Sequence, residues 1–244
     1  MTNYISNAPL WAIVLFIASF FYSIAFIANP AKKAALNAGM DPGKARNIQL
    51  GIFGFYFFYL VYVSALSLKG VFAANSIPPK VVVWAGLPLI ILLFGFIGNT
   101  GLFKKLLRSI TLESLIAIHI FRVVGIFFII LYCYHLLPPN FAFSADLGDL
   151  ITALLALPVA WMVSKRKPMW KPIVYAWNIF GMLDIVNVLV LSVVIAKSGM
   201  AAGSNESLRE MTVFPFVWFP AFAPGTILFL HVAVFRKMAQ LKGA

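Results

Sequence analysis

Six ionisable or amide side chains sit well inside stretches that are mostly hydrocarbon. They are His119 and Arg122 within 112–137, Asn178, Asp184 and Asn187 within 172–196, and His231 within 211–235. Arginine stays charged at any cellular pH, and an unpaired ion at such a depth costs at least ~2.5 kcal/mol on insertion scales. Arg122 therefore needs a partner. Arg122 lies nine residues, hence ~13 Å, above Glu113, and Asp184 lies twelve residues, ~18 Å, above Pro172. The long arginine stem covers that difference, so Arg122 is expected to pair with Asp184. His119 precedes Arg122 by three residues and shares its sector of the helix. Asn178 and Asp184 point about 120° apart, and Asn187 almost opposite Asn178. Asn178 thus matches His119 in depth, while Asp184 and Asn187 suit a mid-membrane or outward cavity.

Two chemistries follow from this set. In the first, Arg122 binds an anionic group or tunes Asp184, which carries a proton, with His119, Asn178, Asn187 and Asp149 completing a substrate or proton site. In the second, His119 and His231, near the same third of opposite-running helices, ligate a haem or a metal. No cofactor is required otherwise. The bland alternative is an ionic latch that only fixes helix register.

The elements that position these residues follow from composition. A chain of 244 residues that is 62% hydrophobic and 11% charged cannot cover a soluble globule with polar surface. Apolar runs near 20 residues, the length needed to cross ~30 Å of hydrocarbon, recur throughout. The fold class is all-α, a polytopic transmembrane helical bundle forming one domain over 1–244. Its seven spans fall near 9–28, 48–68, 81–103, 112–137, 144–164, 172–196 and 211–235. Of the 19 Lys and Arg, 14 fall in the connections after spans one, three and five and in the C-terminal tail, and four on the other side. That bias predicts an N-out, C-in orientation. It also accounts for the net charge of +12 without a nucleic-acid partner, and predicts contact with anionic lipid on the cytoplasmic side.

Local signals refine this outline. The first span has its charges after it and none before, the reverse of a cleavable signal peptide. Residues 30–47 read as a basic connection on the headgroup layer, with a turn at Asp41-Pro42-Gly43. The rings of span two (Phe53, Phe55, Tyr56, Phe57, Phe58, Tyr59, Tyr62) read as lipid-facing or interfacial. Pro138-Pro139 ends span four, and span five starts at Ser144, which leaves Asp146 and Asp149 as capping or outer-vestibule charges. Gly148, Thr152, Ala156 and Ala160 form a stripe that admits another helix closely. Pro215, Pro220, Pro224 and Gly225 predict a kinked or unwound span seven with freed carbonyls. The single cysteine, Cys133, permits no intrachain disulfide and reads as a small packing residue.

Phe121-Arg122-Val123-Val124-Gly125, Pro138-Pro139-Asn140-Phe141-Ala142 with Asp146-Leu147-Gly148-Asp149, and Trp177-Asn178-Ile179-Phe180-Gly181-Met182-Leu183-Asp184 together resemble an uncharacterised family of bacterial seven-span inner-membrane proteins. Pro215, Pro220 and His231 fit its last helix. The chain departs from the family pattern at Ser144-Ala145-Asp146. The resemblance implies a bacterial inner-membrane location and no particular activity.

Several functions drop out. Span seven has no lysine for a retinal Schiff base, and the halves show no repeat. No HExxH, GxSxG or P-loop occurs, and no extramembrane segment could hold a soluble active site, so any enzyme would have to use the buried set. An intramembrane aspartyl protease would need Asp149 and Asp184 face to face, yet with span five starting at Ser144 their depths differ by roughly 10 Å. The reading that remains is a transporter or permease-like protein for a small polar or amphipathic solute, coupled to protons. A haem- or quinone-binding redox protein, and a sensor or structural subunit without turnover, are the alternatives. The sequence leaves the oligomeric state open.

Overall fold

A computed structural model describes residues 4–73, 76–201 and 208–241. Among them are eight helices, α1 Leu10–Asn37, α2 Pro42–Leu68, α3 Val82–Asn99, α4 Gly101–Ser109, α5 Leu112–Cys133, α6 Pro139–Ser164, α7 Trp170–Ala201 and α8 Trp218–Gln240. All but α4 are long and apolar enough to cross a membrane. The described residues contain no β-strand, only an isolated bridge between Ile5 and Phe214.

The helices stop where the backbone can turn. α1 and α2 end in Schellman turns at Gly39 and Gly70, whose φ of 75° and 73° suits glycine, and where the chain returns hydrogen bonds to Ala35 and Leu66. α5 and α6 close in the same way at His135 and Arg166 despite their side chains. α1 runs on through Pro30, and Asp41 caps α2 by accepting from Lys44 N, so the basic connection expected over 30–47 shrinks to the turn between two long helices.

Four boundaries differ from the sequence reading in ways that matter. The third span stops at Asn99. Thr100 then caps a separate helix, α4, by accepting from Phe103 N, and α4 sets Leu102, Phe103, Leu106 and Leu107 on one face with Lys104, Lys105 and Arg108 on another. α6 begins at Pro139, five residues before Ser144, because a proline is well suited to the first turn of a helix. The last helix starts only at Trp218, after a segment in which Phe214 pairs with the N-terminal stretch (Ser6 N to Phe214 O 2.8 Å, Phe214 N to Tyr4 O 3.0 Å). α8 also extends to Gln240 and so includes Lys237. Its Nζ donates to Leu107 O and Arg108 O at the end of α4, far from mid-span. Of the outer loop expected over 197–210, residues 202–207 lie outside the described residues, as does Lys242.

Burial ranks the helices. The most apolar stretch of α8 is 72% buried and that of α5 61%, whereas α7 is only 17% buried. α5 and α8 are thus the centre, and α7 is a peripheral helix with one inward face. The small-residue stripe of α6 is buried throughout and receives that face: Trp177 Nε1 donates to Thr152 O at 3.0 Å. On α2, Phe57, Phe58 and Tyr62 are exposed, as expected of rings facing lipid. Tyr56 and Tyr59 instead turn inward, where Tyr59 Oη donates to Ala221 O beside the prolines of α8. Cys133 is exposed at the end of α5, so the expectation of a packing residue fails.

Candidate functional site

At residues 119–125, α5 tightens from 3.6 towards 3.0 residues per turn. In that geometry positions three apart eclipse one another, so His119, Arg122 and Gly125 line up on one edge. Arg122 is buried, with no side-chain exposure. Its Nε donates to Asp149 Oδ1 at 2.6 Å and Nη2 to Asp184 Oδ2 at 2.5 Å. Nη1 reaches His231 Nε2 at 3.1 Å and donates to Gly181 O at 3.3 Å. One guanidinium thereby joins α5, α6, α7 and α8. Arg122, Asp149, Asp184 and His231 each fall within about three residues of the midpoint of their helix, which places the cluster near the middle of the bundle.

The hydrogen bonds fix the state of His231. A guanidinium N–H can only donate, so His231 Nε2 accepts and Nδ1 carries the proton. Nδ1 then donates to Asn178 Oδ1 at 2.8 Å, and Asn178 Nδ2 donates to His231 O at 3.1 Å. His231 is therefore neutral, and Asn178 is satisfied at both ends of its amide.

His119 differs from its neighbours. Its ring lies against that of His231, with centroids 4.1 Å apart and planes at 34°, and meets the Trp177 edge at 5.1 Å. It is fully buried, yet neither ring nitrogen has a hydrogen-bond partner among the described residues.

Glycine makes the close approach possible. A Cβ at Gly181 would stand 2.5 Å from His231 Cε1 and 3.0 Å from Arg122 Nη1, and one at Gly148 would overlap the Asp184 carboxylate. Both glycines lie in stretches singled out by sequence, but nothing there marks them as the floor of a charged site.

Of the residues expected from sequence, the structure unites Arg122, Asp184, Asp149, Asn178, His119 and His231. Two expectations need correction. Asp149 is neither a cap nor a vestibule charge: because α6 starts at Pro139, it sits a full turn deeper and pairs with Arg122. The depth argument that kept Asp149 and Asp184 apart fails with it. Both carboxylates engage the same guanidinium, Asp149 through Nε and Asp184 through Nη2. Asn187 lies on the exposed side of α7, away from the cluster. Asp146, one turn before Asp149, is buried, with Oδ1 unpartnered among the described residues.

Ligation of a haem iron by His119 and His231 does not fit this arrangement. The rings lie face against face rather than nitrogen to nitrogen across a metal, and His231 would have to release Arg122 or Asn178. Among the described residues no three His, Cys, Asp or Glu side chains converge as metal ligands would.

No curated protein and no solved structure matches the chain. A family model described as a domain of unknown function (DUF8737) matches residues 78–239. That match runs from the approach to α3 almost to the end of α8 and contains the whole Arg122 cluster, while α1 and α2 lie outside it. The chain belongs to this DUF8737 family.

Proposed function

We propose that the protein is a multi-pass membrane carrier for a small polar or amphipathic solute, coupled to a proton held at the Arg122 cluster, with its basic end on the cytoplasmic side. The observation that carries this reading is two carboxylates on one guanidinium in mid-bundle. With both ionised, the group has a net charge of −1 away from water, which an apolar interior penalises. One bound proton removes that charge. Asp184 is the better carrier, because it bonds the terminal Nη2 and can let go without disturbing the Arg122–Asp149 pair through Nε.

His119 supports the solute half of the reading. Arg122, Asn178 and His231 are occupied by one another, whereas His119 keeps two open nitrogens beside them and can receive a polar group of a solute. The late start of α8 after an irregular segment resembles the interrupted helices at which carriers rearrange.

The test is protein reconstituted in liposomes with a trapped pH-sensitive dye, challenged with small carboxylates, amines and amino acids. A solute that drives proton flux in wild type and in Asn187→Ala, but not in Asp184→Asn, supports the carrier. If no solute moves protons, and Asp184→Asn differs only in melting temperature, the cluster is a structural latch.

A further inference from the structure

Between Arg122 and the basic end, the helices leave a half-open cavity of about 560 Å³ bounded by α1, α2, α3, α4, α5 and α8. Its size falls within the ~300–1,000 Å³ range of small-molecule sites. Of its lining residues only Asn47, Thr100 and Tyr56 carry polar side chains, and the Tyr56 hydroxyl is already bonded to Thr226 Oγ1 at 3.2 Å. The floor includes Ile118 and Leu230, the sequence neighbours of His119 and His231.

This space is built rather than left over. Its roof is the apolar face of α4, which is pinned in place. Thr100 caps its start, Lys237 Nζ donates to Leu107 O at 3.2 Å and Arg108 O at 2.7 Å, and Arg236 Nη1 donates to Gly98 O at 3.1 Å just before it. The two polar lining residues other than Tyr56 each have a lysine on the same helix face, Lys44 three residues before Asn47 and Lys104 four after Thr100. Lys105 and Arg108 continue the charge. The acids nearest in sequence are Asp41, which pairs with Lys44 at 3.8 Å, and Glu113 in the first turn of α5.

We propose that this cavity binds one acyl chain of an anionic phospholipid, with the phosphate at Asn47 between Lys44 and Lys104. The apolar lining matches the chain and excludes a polar solute, and the basic flank selects the head group.

The experiment is native mass spectrometry of the full chain after equilibration with vesicles of phosphatidylglycerol or of phosphatidylcholine with identical chains. Wild type is expected to keep one phosphatidylglycerol under activation that strips phosphatidylcholine. Gly51→Phe fills the cavity from a position whose Cβ would meet no atom within 4 Å, and should lower retention roughly tenfold at an unchanged melting temperature. The double variant Lys44→Gln/Lys104→Gln should lose the preference for phosphatidylglycerol, a change of roughly tenfold, while still holding a chain. If Gly51→Phe does not fold, Ala233→Leu on the α8 wall takes its place. Equal retention of both lipids by wild type, full retention by the filled variant, or displacement of phosphatidylglycerol by a neutral isoprenoid or by a second copy of the chain would each overturn the proposal.

Discussion

The halves of the bundle on either side of Arg122 are packed by opposite rules. Toward the start of α1, Phe16 meets Phe20, Phe127, Phe216 and Phe219 at centroid distances of 4.6 to 5.2 Å, and Phe128 stacks on Phe219 at 4.2 Å. Toward the basic end, the same helices leave the 560 Å³ cavity. In a membrane there is little hydrophobic drive between helices, so close packing itself supplies much of the stability. The ring-packed half is therefore anchored by side-chain packing, and the half with the cavity is held instead by the polar contacts of Thr100, Arg236 and Lys237 around α4.

The cluster at the boundary should show the largest effect. Arg122→Ala strands Asp149 and Asp184 together without a cation, and should lower stability in detergent by about 3–5 kcal/mol. Arg122→Lys should recover only part of that, since an ammonium cannot reach two carboxylates, His231 and Gly181 O at once as a planar guanidinium does. Denaturant titration of the two variants measures both losses. Full rescue by lysine would mean that charge alone, and not the four-helix junction, holds the centre.

Next in size is the contrast between the two halves. Phe16, fully buried among rings, should cost about 3 kcal/mol when replaced by alanine. Ile97→Ala, which removes a half-buried wall of an existing cavity, should cost about 1 kcal/mol or less, because few contacts are lost. Similar losses at both sites would show that the cavity collapses or is filled in solution.

Glycines give a finer version of the same contrast. Gly148→Ala places a methyl group on the Asp184 carboxylate and forces α6 and α7 apart, at about 1–3 kcal/mol. Gly51→Ala meets open space and should be neutral or slightly stabilising, within about 1 kcal/mol, since alanine is the better helix former. Thermal melting of the two single variants separates them.

The sequence disclosed much of this arrangement, and its failures have physical causes. Counting residues from the helix ends was enough to pair Arg122 with Asp184, because an ion in hydrocarbon leaves few choices of partner. It missed Asp149 as the second partner because Pro138-Pro139 reads as a stop, while only the first proline lies outside the helix and the second opens α6. α4 was hidden because Leu102 and Phe103 prolong an apolar run, and the bend at Thr100 depends on a capping hydroxyl. Asn187 misled because α7 has a single inward face. Asn178 occupies it, and a residue nearly opposite must face outward. Gly148 and Gly181 were visible as letters, but their need to be glycine arises only when a carboxylate and an imidazole from other helices arrive.

The smallest prediction concerns the joint between the halves. Tyr56 lies at the edge of the cavity, touches Phe222 of the ring cluster at 4.9 Å, and bonds Thr226 across to α8. Tyr56→Phe keeps the ring and deletes the hydroxyl, and hydrogen bonds between membrane helices average about 0.6 kcal/mol in double-mutant cycles. A cycle of Tyr56→Phe with Thr226→Val should return a coupling near that value. Each single variant alone should lose somewhat more, because the partner hydroxyl is left buried and unbonded. A coupling of zero would mean that α2 is held to α8 by ring packing, by Tyr59 and by the Trp218 Nε1 to Ser64 Oγ bond. The Tyr56 hydroxyl would then add nothing to the joint between cavity and ring cluster.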